Sequence, residues 1–290
     1  MNKAKIGLAL SSGGARGSAH VGVLRVLEEA GITLDVIAGA SMGAEIGGAY
    51  AAGVPLTRLT DMWQSTSLAR VAKSLLPTLP WSGWSSGNAI RRNLRDLIGD
   101  HLIEELPMLF AAVATDLESG LPVSLTQGSL VEAIRASLSV PGLFTPVWFQ
   151  GHLCIDGGVS NPLPVDTART LGADIVIAVD VLVEPSEVKL SGIPAIDLRE
   201  LRTGNNRGSG TPVIDPRRYA PSVFNVLLQM STVFQKRLCE ARLVQDPPDV
   251  LIRPDFSEDP PCYSRVGCGI KAGEQAARRA LPELLRMLST

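Results

Sequence analysis

Gly39-Ala40-Ser41-Met42-Gly43 holds a serine between two glycines at G-x-S-x-G spacing. Glycine and serine also make ordinary turns, so the pattern carries little weight alone. Its setting matters more: Leu34 to Ala38 reads as a strand, and Met42 to Ala52 as a helix of small residues. A serine on a sharp strand-to-helix turn projects clear of the backbone, where its hydroxyl can meet a substrate. The helix that follows turns its N–H groups toward developing negative charge. That arrangement suits a nucleophile in acyl transfer.

Such a nucleophile needs a base. The chain has 3 histidines, His20, His101 and His152, and none follows residue 152, where a Ser-Asp-His hydrolase would carry its last triad member. The serine also falls too early for that chain order, so a carboxylate is the better candidate. Asp156-Gly157-Gly158 follows the strand-like stretch Val147 to Ile155 and precedes Asn161-Pro162. It reads either as an Asp-Gly hairpin turn or as a carboxylate facing a neighbouring strand end, where it could take the Ser41 proton. At its reference pKa of ~3.9 an aspartate is a weak base, and burial would strengthen it.

Ser12-Gly13-Gly14-Ala15-Arg16-Gly17 lies between a short apolar strand (residues 4–10) and a helix with Val21, Leu24 and Leu27 on one face. A glycine loop in that place cradles either a dinucleotide phosphate or an oxyanion. The first use requires an acid where the second strand ends. Ala38-Gly39-Ala40-Ser41 occupies that position, and Asp35 sits at the entering end. The amides of Gly13, Gly14 and Ala15 therefore read better as an oxyanion hole. Arg16 has two readings: bracing the loop against a carboxylate, or contacting a lipid phosphate.

Positioning these groups takes a parallel sheet covered by helices, which two strand-turn-helix units within the first fifty residues indicate. Further strands are expected at 109–115, 122–126, 174–179 and 249–252, and helices at 129–137, 164–171, 222–243 and 271–288. A 45% hydrophobic fraction over 290 residues supplies a core, and a net charge of −2 gives no reason to expect nucleic acid. The cysteines, Cys154, Cys239, Cys262 and Cys268, lack paired metal-ligand spacing and read as reduced thiols; sequence alone leaves a Cys262–Cys268 bridge open. No stretch has the ~20 unbroken apolar residues of a membrane span. The N-terminus, with no cleavage site before its glycines, reads as a first strand, not a signal peptide. A cytoplasmic protein is expected.

Two stretches break the regularity. Residues 66–88 mix Leu75, Leu76, Leu79, Trp81 and Trp84 with Pro, Ser and Gly. They read as a loop packed on the core or as a cap that touches a membrane surface. Residues 197–220, rich in Gly and Arg, read as a solvated loop.

Taken together, GGARG (13–17), GASMG (39–43) and DGG (156–158), in that order, resemble the patatin-like phospholipase family. ATDLESG (114–120), RASLSVPGLFTPV (135–147) and NPLPV (161–165) are similar to its bacterial members. The resemblance covers residues 5–182 and, more loosely, 247–257 and the terminal helix. It implies a three-layer α/β/α fold with a mainly parallel sheet, a catalytic core over 5–182 and an extension (183–290) packed on the same domain. It also implies a dyad of Ser41 and Asp156 with no metal or cofactor, an oxyanion hole in the loop Gly13, Gly14, Ala15, Arg16, Gly17, and lipid acyl esters as substrates. A catalytically weak regulatory or scaffolding member is the alternative. Ser12 departs from the glycine that often opens this loop, and Asp116 reads as a residue that pins a loop.

Overall fold

The computed structural model describes residues 4–64, 85–187, 192–194, 219–221, 223–257 and 266–288. Trp81, Trp84, Cys262 and nearly all of 197–220 lie outside these residues, as does most of the 66–88 stretch.

In chain order the elements are β1 (Ile6–Leu10), α1 (Ser18–Glu29), β2 (Val36–Ala40), α2 (Met42–Ala51), α3 (Leu56–Gln64), α4 (Asn88–Ile98), β3 (Leu109–Asp116), β4 (Pro122–Leu125) and α5 (Leu130–Ser137). There follow β5 (Val147–Phe149), β6 (His152–Asp156), α6 (Val165–Thr170), β7 (Ile175–Val179), β8 (Gly192–Pro194), β9 (Tyr219–Pro221), α7 (Val223–Gln245), β10 (Val250–Ile252) and α8 (Val266–Leu288). β8 and β9 pair only with each other. The other strands form one sheet, ordered β10-β7-β1-β2-β3-β6-β5, with β4 also on β3. From β10 to β3 every pairing is parallel, while β4, β5 and β6 run antiparallel.

Side-chain alternation divides the core between two faces. Leu8, Leu10, Ile37, Ile177 and Val179 point to the side of α1, α2, α5 and α8. Ala9, Val36, Ala38, Val176 and Ala178 point to the side of α6 and Cys239 of α7. With both faces covered, these strands read as continuous apolar runs, and β1 and β2 are buried throughout. This is the three-layer α/β/α arrangement. α8 lies close against α1: a Cβ on Gly22 would come within 2.0 Å of the Ile270 carbonyl oxygen, and one on Gly273 within 2.0 Å of that of Ala19. The C-terminal helix thus seats directly on the first one.

The eight-residue strand β3 is longer than its neighbours and serves three of them. β2 pairs with residues 109–113, β6 with 114–116 and β4 with 112–115. A strand has two edges. Since β4 overlaps both of the other stretches, β2 and β6 must share the opposite edge, end to end. Residues 147–155 form a hairpin of β5 and β6. The turn is at Gln150-Gly151, where Gln150 has φ 50°. Helix α4, whose buried Leu94, Leu97 and Ile98 form its inner face, adds to the expected elements.

Candidate active site

Ser41 caps α2 with φ 53° and ψ −116°, a left-handed conformation that a residue with a Cβ rarely holds. The flanking glycines make the turn possible. A Cβ on Gly39 would come within 2.3 Å of the Gly43 carbonyl oxygen, and one on Gly43 within 2.2 Å of that of Leu10. Both distances are below any real contact, so the G-x-S-x-G spacing is a packing requirement. At the N-terminus of α2, the Ser41 carbonyl takes the amides of Ala44 and Glu45 at 3.0 and 3.1 Å.

The Ser41 hydroxyl donates to Asp156 Oδ2 at 2.6 Å. Asp156 Oδ1 accepts the Gly158 N–H at 2.8 Å, and the Asp156 carbonyl accepts the Thr115 hydroxyl at 2.8 Å. Only 2% of Asp156 and 6% of Ser41 is exposed, so the pair sits in a low-dielectric place. Burial pushes the Asp156 carboxyl up to about 6, against the opposing pull of the Ser41 and Gly158 hydrogen bonds. A carboxylate titrating there is a stronger base than an ordinary aspartate and is still ionised at neutral pH.

The glycine loop follows β1 directly. Among the described residues the amides of Gly13, Gly14 and Ala15 make no hydrogen bond, whereas the Arg16 amide is spent on the Gly13 carbonyl at 3.2 Å. Gly17 sits against Met42, next to Ser41, where a Cβ would come within 2.7 Å of the Met42 Cβ. The Arg16 guanidinium pairs with Glu187 at 2.9 Å and lies over the Phe256 ring. Ser12 turns its hydroxyl to Gln235 of α7 at 2.7 Å.

His20 and His152 are engaged elsewhere, and His101 is exposed. His20 is buried, bonded through Nε2 to the Ser11 carbonyl at 2.9 Å, and desolvation lowers it to about 4, so its ring is neutral. His152 pairs with Asp116 at 3.4 Å. Asp116 also takes the Ser119 hydroxyl at 2.8 Å and the Glu118 amide at 3.2 Å, bonds that hold its carboxyl below the usual range and close the 116–120 turn. Among the described residues no three His, Cys, Asp or Glu side chains are grouped as a metal site, and no helix is long and apolar enough to cross a membrane.

Sequence reasoning missed the residues behind the dyad. The Ser137 hydroxyl accepts the Ser41 N–H at 2.8 Å and donates to the Val113 carbonyl at 2.6 Å. The Ser139 carbonyl accepts the Asp156 N–H at 3.0 Å. The signal in the sequence is the stretch RASLSVPGLFTPV (135–147), similar to bacterial patatin-like proteins, in which polar residues alternate over 135–139 without pointing to a role for either serine.

The chain is similar to known proteins. Residues 8–169 match the model of the patatin-like phospholipase family. An uncharacterized NTE family protein of Mycobacterium tuberculosis is 41% identical over 175 residues, 60% of this chain and 48% of that protein. Lysophospholipase nte1 of Aspergillus fumigatus is 37% identical over 187 residues, 61% of this chain and 12% of that one. The chain thus spans about half the length, or less, of these relatives. In fold it resembles VipD of Legionella pneumophila, with a TM-score of 0.53 and 12% identity over 97% of this chain and 67% of that one. The family match takes in β1, the glycine loop, the serine turn and Asp156 in one continuous stretch, and the chain belongs to the patatin-like phospholipase family.

Proposed function

We propose that the chain hydrolyses acyl esters of phospholipids or lysophospholipids, with Ser41 as nucleophile and Asp156 as base. One observation carries this reading: a buried hydroxyl–carboxylate hydrogen bond of 2.6 Å between groups 115 positions apart, placed beside a glycine loop with unspent amides. Asp156 takes the Ser41 proton as Oγ attacks the ester carbonyl. The tetrahedral oxyanion falls to the amides of Gly13, Gly14 and Ala15, a contribution of ~3 kcal/mol for each donor it uses. When the tetrahedral intermediate collapses, the alkoxide leaves with the proton from Asp156 and the acyl group stays on Ser41. Water, deprotonated by Asp156, attacks this acyl-enzyme, and as the fatty acid leaves, Asp156 returns the proton to Ser41 Oγ. No metal or cofactor enters these steps.

Residues 183–290 belong to the same working unit in this reading. Three contacts support it: Gln235 on Ser12, the Arg242 guanidinium on the Ser160 carbonyl at 3.1 Å, and α8 against α1. Action in the cytoplasm at a membrane surface, with the 66–88 stretch making the contact, completes the proposal.

The test is fatty-acid release from a panel of phospholipids and lysophospholipids, with Ser41→Ala as control, with and without a chelator. The reading expects release that is indifferent to the chelator and abolished in Ser41→Ala. Full turnover by Ser41→Ala would remove it.

A further inference from the structure

Ser41 holds a strained backbone, and Asp156 stands at the end of a strand that stops after five residues. Left to itself, the Ser41 backbone would relax. A left-handed residue with a Cβ lies roughly 1–2 kcal/mol above its right-handed form. One short segment, which ends α5 and continues two residues beyond it, bonds to the backbones of both Ser41 and Asp156.

We propose that Ser137 and Ser139 are positioning residues that together fix the backbones of both dyad members, with Arg135 as their buried anchor. The proposal rests on the Ser-Asp reading above and adds residues that touch neither substrate nor reacting atoms. The Ser137 hydroxyl stands between the Ser41 amide and the Val113 carbonyl, so it ties the nucleophile to β3 by two buried bonds of 2.8 and 2.6 Å. Two residues on, the Ser139 carbonyl takes the Asp156 amide at 3.0 Å. One segment thus grips two residues that arrive on different strands. A consequence for the chemistry follows: the Ser41 amide is spent on Ser137 and is not an oxyanion donor.

Arg135 keeps this segment in place. It is fully buried, and its hydrogen bonds go to neutral groups: the Ser139 hydroxyl at 2.6 Å and the Ser86 and Thr145 carbonyls at 3.1 Å each. Its Nε has no partner among the described residues. A buried guanidinium without a hydrogen-bonded carboxylate works against stability. Its use is geometric: a rigid fork that joins three backbone segments around the dyad.

Ser137→Ala and Ser137→Thr in the full chain test the assignment. The readouts are kcat and KM on a water-soluble p-nitrophenyl ester, the rate constant of labelling by a fluorophosphonate, and the thermal midpoint. Ser137→Ala should lower both kcat and the labelling rate constant about 10- to 100-fold with KM little changed, as a misplaced nucleophile does. Ser137→Thr, which keeps the hydroxyl, should recover most of the loss. Partial unfolding lowers the amplitude of labelling but not its rate constant, so a merely structural role leaves that constant at the wild-type value and overturns the proposal. A wild-type protein that neither labels nor hydrolyses would instead remove the dyad reading itself, and the positioning role with it.

Discussion

Ala40 and Asp156 take consecutive places along one edge of β3: Ala40 faces Val113, and Asp156 faces Ala114. β2 ascends that edge and β6 descends it, so the two strands meet head to head and both chains must leave the sheet there. Ser41 departs with φ 53° into α2. Gly157 departs across the Val113 carbonyl, where a Cβ would come within 2.0 Å of the oxygen. The hydroxyl and carboxylate meet because their strands compete for the same edge, and the strain at Ser41 is the backbone's response.

Steric need at the turn separates two classes of glycine. Gly43→Ala would drive a Cβ to 2.2 Å from the Leu10 carbonyl oxygen, where backbone on both sides must shift. A loss of about 3 kcal/mol or more is expected, with the esterase activity gone. Gly31 has φ 71° but nothing within 4 Å of an added Cβ. Gly31→Ala should therefore cost only about 1 kcal/mol, with activity retained. Urea unfolding of both variants checks the contrast; equal losses would contradict it.

Asp156 links activity and stability to pH in opposite senses. Burial raises its carboxyl from the usual 3.8 to about 6 in the fold, so the folded state holds the proton more tightly. Stability from this group is full below about pH 4 and is lost as pH rises through about 6, amounting to about 3 kcal/mol by pH 7. Activity should rise over the same interval as the base ionises. Asp156→Asn should match the wild type at pH 4, melt higher at pH 7, and be inactive. Desolvation also raises Glu45, to about 7, so the difference between the two proteins is the quantity to follow. An Asn variant that melts lower at pH 7 would count against the buried charge.

Asp180 docks α7 beside the glycine loop. It takes the Leu182 amide at 3.1 Å, Arg253 at 3.0 Å and Lys236 at 3.5 Å, and it is almost wholly buried. Asp180→Ala leaves Lys236, itself buried, with Glu184 alone at 2.7 Å. Breaking a buried pair from one side costs about 3–5 kcal/mol. The thermal midpoint should fall accordingly, and kcat with it, since Gln235 on the same helix holds Ser12. A fall in stability with unchanged kcat would separate α7 from the site.

Much of this was legible in sequence because local chemistry decided it. Gly39 answers to a contact four residues away, the apolar runs of β1 and β2 to burial on both faces, and the Gly-x-Ser-x-Gly and Asp-Gly-Gly patterns show in the sequence as they stand. The rest depended on pairing between distant segments. Gly151 marks a hairpin turn within residues 147–155 in the sequence, but the pairing of the two arms with each other and of β6 with β3 is set by the fold. The shared edge of β3 depends on the register of three strands at once. Ser137 and Arg135 look like ordinary polar residues on a short helix, and only the fold brings them behind the dyad.

The activation of the Ser41 hydroxyl by Asp156 is tested most directly by reacting the wild type and Asp156→Asn with a fluorophosphonate, then mapping the adduct by peptide mass. A single adduct on the Ser41 peptide is expected, forming at least about a hundredfold more slowly in the Asn variant. An adduct on another residue, or equal rates in the two proteins, would contradict it.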